Sequence, residues 1–129
     1  VERFQGKQRV KLLRGDSKTV LPSLVEELSG PAVFYLDAHW SGRFQGIDTG
    51  CADDGAVPLR AECEALMKYR DIERSLIVVD DVRLMVDPAS PPGNFGSEIK
   101  TWLLDQWCSK RRFHATFVDD SLVFQKSRK

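Results

Sequence analysis

Long apolar runs are missing from this sequence. Its longest uncharged apolar stretch, residues 31–36, is far shorter than the roughly 20 residues a membrane-spanning helix requires, and the charged opening Val1-Glu2-Arg3 has none of the build of a secretory signal. An excess of either charge is missing too. Acidic and basic side chains number 19 each, with no block of five or six like charges, so the electrostatic footprint of a polyanion-binding surface is absent and nucleic acid is not an expected partner. Cysteine is scarce: Cys51, Cys63 and Cys108 form no CxxC pair and leave an odd thiol, which argues against a disulfide framework or a zinc site. A cytoplasmic setting with reduced thiols and no membrane contact is expected. Repeats, low-complexity tracts and linkers are also lacking, and 129 residues suit a single domain. The chain opens on valine, and its charged first residues fit the tail of an element begun upstream, so a partial domain is the expectation.

What is present is an alternation of apolar runs and helical patterns. Val10-Lys11-Leu12-Leu13 is a short β-compatible run stopped by Arg14-Gly15-Asp16-Ser17. Val20, Leu21, Leu24, Val25 and Leu28 then recur at helical spacing, with Pro22 in or near the first turn and Ser29-Gly30-Pro31 as the stop. Ala32-Val33-Phe34-Tyr35-Leu36 is continuously apolar, which predicts a strand covered on both faces. Residues 40–58 contain four glycines and little periodicity, a length that in compact domains marks a functional segment. Pro58 opens a helix with Leu59, Cys63, Leu66 and Met67 on one stripe, and Leu76-Ile77-Val78-Val79 predicts a central strand. Ser97 is placed to cap a helix with Ile99, Trp102, Leu103, Gln106 and Trp107 on one face; both tryptophans read as packing residues. Residues 113–118 and 121–125 flank Asp119-Asp120 and predict an antiparallel pair. Strands alternating with helices predict an α/β domain with a mostly parallel sheet, flanking helices and a terminal antiparallel pair.

In such sheets ligands bind beyond the carboxyl ends of the strands, and three successive runs here end in acids: Asp16, Asp37 and Asp80-Asp81. Clustered carboxylates repel one another and need a cation, protonation or good solvation. A divalent metal held by Asp37, Asp80 and Asp81 answers that need, and oxygen ligands with room for water are what magnesium favours. The alternative is that each aspartate caps a helix or tightens a turn after its strand. His39, two residues beyond Asp37, is a candidate base or further metal ligand, set against the commoner role of a loop histidine as a hydrogen-bonded surface group. His114 falls inside a strand pattern and reads as structural.

Leu13-Arg14-Gly15-Asp16-Ser17 with Leu21-Pro22-Ser23-Leu24, then Phe34-Tyr35-Leu36-Asp37-Ala38-His39-Trp40, then Ile77-Val78-Val79-Asp80-Asp81, resembles the later half of class I S-adenosylmethionine-dependent methyltransferases, most of all the metal-dependent O-methyltransferases. The resemblance implies a partial Rossmann-like fold. It implies magnesium held by Asp37, Asp80 and Asp81, and a turn at Gly15, Asp16 and Ser17 against the cofactor adenine. Ser41 stands where the catechol-type enzymes carry a lysine base, leaving His39 as the substitute. The family's glycine-rich first strand and turn, and the acid closing its second strand, have no counterpart. The resemblance therefore implies a truncated or divergent domain that binds cofactor poorly by itself, and the sheet edge left open favours a homo-oligomer. Two other functions fit the same residues: magnesium-dependent phosphoryl chemistry of the receiver or phosphatase type, and a non-catalytic binding or assembly module.

Overall fold

A computed structural model describes residue 6 and residues 9–37, 43–44, 47–48, 58–85 and 97–127. Helix α1 (Ser17–Glu27) is followed by strand β1 (Val33–Leu36), the two-residue strands β2 (Arg43–Phe44) and β3 (Ile47–Asp48), helix α2 (Leu59–Leu66), strand β4 (Leu76–Val79), helix α3 (Ser97–Leu104) and strands β5 (Phe113–Val118) and β6 (Ser121–Lys126). Among the described residues, strands β2 and β3 form a separate antiparallel pair. The remaining four form one sheet in the order β1-β4-β6-β5.

The architecture is α/β, but the sheet is mixed. Strands β1 and β4 run parallel with Val33 opposite Leu76 and Leu36 opposite Val79, while β6 lies antiparallel to both β4 and β5. The physical reason is the tight return at Asp119-Asp120: a chain that turns within two residues must come back antiparallel, and it returns between β4 and β5 rather than at the edge. The strand expected at residues 10–13 does not form, and Val10, Leu12 and Leu13 stay exposed. A lone extended segment has no ladder to bond to, so its β propensity goes unused. Helix α1 begins at Ser17, earlier than its apolar spacing suggests, which places Pro22 inside it. The ring removes one backbone hydrogen bond there, at a solvent-exposed position.

The expectation that β1 is covered on both faces is also corrected. Phe34 and Leu36 are buried, whereas Val33 is 69% and Tyr35 57% exposed. One face of the sheet, carrying Phe34, Leu36, Ile77, Val79, Leu122 and Phe124, joins residues of all three helices in a single core. On the opposite face Val33 and Tyr35 are exposed and Val78 and Val123 half-buried, and no helix among the described residues contributes a core there. Trp107 is fully buried, edge-on to Phe113 at 5.1 Å, and partly buried Trp102 packs on the core under Arg60. Both tryptophans are packing residues, as their helical spacing predicts. Cys63 is buried in the core, where desolvation pushes its thiol up to about 12; an un-ionised thiol there is inert. No helix among the described residues is long and apolar enough to cross a membrane.

Candidate metal centre

The parallel register of β1 and β4 brings the acids together. Leu36 faces Val79, so the next residues, Asp37 and Asp80, leave the sheet side by side, and the Asp80 amide still donates to the Leu36 carbonyl at 3.0 Å. Asp81 follows in a left-handed conformation, φ 58° and ψ 43°. That region costs a non-glycine residue on the order of 1 kcal/mol, and aspartate is among the side chains that tolerate it best. The turn directs the Asp81 carboxylate back toward its neighbours. One oxygen from each of Asp37, Asp80 and Asp81 lies within 4.8 Å of the other two. Oxygens on opposite sides of a cation held at about 2.1–2.4 Å are about 4.2–4.8 Å apart, so these three suit one magnesium, manganese or calcium ion.

Antiparallel β6 adds a third side. With Leu122 opposite Val79, Ser121 arrives beside Asp80, and its hydroxyl donates to Asp80 Oδ1 at 3.0 Å. The Asp81 amide donates to the same oxygen at 2.8 Å, and the Tyr35 hydroxyl donates to Oδ2. Tyr35 reaches it because side chains two apart on a strand share a face: it stands on β1 two residues before Asp37 and opposite Val78. These donors, Tyr35 foremost, hold the Asp80 carboxyl below the usual aspartate range, and the same bond pushes the Tyr35 phenol up to about 12. Arg83, on the short helical turn Val82–Leu84, places one guanidinium nitrogen 2.5 Å from Asp81 and also bonds Asp120, while its amide donates to Asp120 at 2.9 Å. Among the described residues, the Arg83 guanidinium thus bridges Asp81 and Asp120 beside the clustered carboxylates. A divalent cation would offset the repulsion among Asp37, Asp80 and Asp81.

The three metal candidates converge, as the strand-end pattern predicts. Tyr35, Arg83, Asp120 and Ser121 were not singled out in the sequence. Tyr35 had a legible signal, its same-face spacing to Asp37. Arg83 and Asp120 are 37 residues apart and meet only because β6 inserts beside β4. His39, the candidate base, lies outside the described residues, as do Cys51 and most of residues 40–58.

The second candidate region sits at the start of α1. The Asp16 carboxylate accepts from the Lys18 amide at 3.1 Å, so Asp16 is the helix cap that the alternative reading foresaw. Ser17 opens the helix. Gly15 is required by close approach: a Cβ there would fall 2.7 Å from Val20 Cγ2. Gly15, Asp16 and Ser17 form a tight turn at a helix start, where Asp16 commits one carboxylate oxygen to the cap and pairs through the other with Lys18 at 3.7 Å. Compared with protein-family models, with curated proteins and with solved structures, the chain has no significant match.

Proposed function

We propose that this chain is the cation-binding part of a metal-assisted, S-adenosylmethionine-dependent O-methyltransferase-like domain. The observation that carries the reading is the convergence of Asp37, Asp80 and Asp81 at the carboxyl end of adjacent parallel strands. Of the three, Asp37 is the most exposed and Asp81 is buried, so a shared ion would have protein on one side and room for an acceptor oxygen on the other. Magnesium bound there would lower the acceptor hydroxyl's pKa and fix its oxygen for attack on a sulfonium methyl group. The chain's own residues supply the support: Tyr35, Ser121 and the Asp81 amide orient Asp80, and Arg83 holds Asp81. The Gly15-Asp16-Ser17 turn is the proposed contact for the nucleoside part of the cofactor, to be completed by a further segment or subunit. The receiver-type alternative has no observation in its favour beyond the same three acids.

Thermal unfolding with increasing magnesium, manganese or calcium tests the cation. At a hundredfold excess over the dissociation constant one site stabilises by about 2.7 kcal/mol, a rise of several degrees in midpoint. The rise should vanish in Asp37→Asn. Absence of a shift with all three ions overturns the reading. A metal shift without any calorimetric heat from S-adenosylmethionine or its demethylated product, in this chain or a longer one, reduces it to a cation-binding module.

A further inference from the structure

Glu62 is not part of the candidate metal centre, yet it is one of the most completely buried side chains in the protein, only 2% exposed, and its Oε2 has no hydrogen-bond partner. It lies on α2, facing the first turn of α1. The Ser17 side chain is placed where it favours the ionised carboxyl, and the Asp16 carboxylate where it disfavours it. A buried carboxylate with one oxygen unpaired and a like charge beside it is an unfavourable ion; the neutral acid is the form that fits. Burial accordingly raises the carboxyl's pKa, the Ser17 side chain works the other way, and Asp16 raises it further.

The apolar hold on α1 is modest. Of its residues only Val25 is fully buried, with Val20, Leu21 and Leu24 half-buried, and among the described residues α2 is the element α1 packs against most. Ionising a group beneath the first turn of such a helix acts on the contact that keeps the helix docked. Among the described residues, the titratable groups near Glu62 are Asp16, itself paired with Lys18 at 3.7 Å, on the α1 side, and the un-ionised Cys63 thiol beside it on α2.

We propose that Glu62 is a proton-operated latch: with its carboxyl protonated α1 is docked on α2, and ionisation releases α1 by local opening while the sheet stays folded. The sign follows from linkage. A group whose pKa is higher docked than open stabilises docking below its open-state value and loses that contribution as pH rises through the docked value. Acid closes the latch and neutral pH loosens it. Because Gly15, Asp16 and Ser17 lead directly into α1, the opening displaces that turn whatever ligand it serves.

Backbone amide exchange of the whole chain, expressed as protection after correction for intrinsic rates, reads the opening directly. Protection of α1 amides is expected to fall by up to about tenfold per pH unit above the ordinary glutamate value, then level off. Protection in β4 and β6 should not follow. Glu62→Gln removes the fall. If that variant does not fold, two others carry the test with opposite signs: Asp16→Asn keeps the cap and moves the transition to lower pH, and Ser17→Ala moves it to higher pH. An α1 protection profile flat with pH, one shared by Glu62→Gln, or a fall that β4 and β6 follow in parallel would overturn the latch, as would Asp16→Asn and Ser17→Ala shifting it the same way.

Discussion

Asp80 accepts hydrogen bonds from three donors on three parts of the chain: Tyr35 on β1, the amide of Asp81, and Ser121 on β6. Its carboxyl is oriented before any cation arrives, as ligands held by outer partners generally are. The bond with Tyr35 is also a pH-dependent contribution with two limits. Asp80, whose pKa is lowered, contributes above the ordinary aspartate value of about 3.9, and the contribution is lost in acid; Tyr35, raised to about 12, contributes below the ordinary tyrosine value of about 10, and the contribution is lost in alkali. Ultraviolet titration of phenolate formation in wild type and Asp80→Asn checks this pair. The Asp80→Asn protein should ionise Tyr35 at lower pH, nearer the ordinary value, and identical titration curves would show that the bond is not made. None of this was legible in the sequence beyond the same-face spacing of residues 35 and 37. Asp81 is a plainer case. Two adjacent acids after a strand are visible in one dimension, but the left-handed turn that aims the second one back is a property of the backbone.

At the scale of elements, periodicity reported burial well on α2 and α3 and less fully on α1, where of the spaced apolar residues only Val25 is fully buried. Ile99, Leu103 and Trp107, four residues apart, are all buried, and so are Leu59, Cys63 and Leu66 on α2. It failed wherever pairing decided the outcome. Val10-Lys11-Leu12-Leu13 has the composition of a strand and is not one, because β structure needs a neighbour while a helix supplies its own hydrogen bonds. Helix α1 depends on its entry. Gly15 allows the chain to pass close to Val20, and Asp16 then caps the first turn. Gly15→Ala is expected to destabilise by roughly 1–3 kcal/mol through overpacking against a side chain stiff at its first torsion. A lowered urea midpoint with unchanged slope checks this; an unchanged midpoint would mean the turn relaxes freely.

For the whole molecule, the alternation of strands and helices specified the α/β class but not the strand order. Placing β6 between β4 and β5 is a long-range choice that puts Ser121 and Asp120 at the acidic edge. That placement is why half of the site went unread. Among the described residues the same arrangement leaves β1 at the edge of the sheet, with Val33 and Tyr35 exposed and no charge or proline within Val33–Leu36 to discourage pairing. Self-association of the chain is expected through this edge. Sedimentation velocity should show mass increasing with concentration, and Val33→Lys should lower it; a monomer at every concentration contradicts the expectation.

The central claim is that three strand-end carboxylates act as one cation site, and manganese binding followed by electron paramagnetic resonance tests it most directly. One ion per chain is predicted, with affinity weakened by well over the roughly tenfold that loss of an outer partner costs in each of Asp37→Asn, Asp80→Asn and Asp81→Asn, and unchanged in Asp105→Asn, whose carboxylate pairs with Lys110 outside the cluster. Manganese that stays free in wild type, or that binds equally well to all four variants, would contradict it.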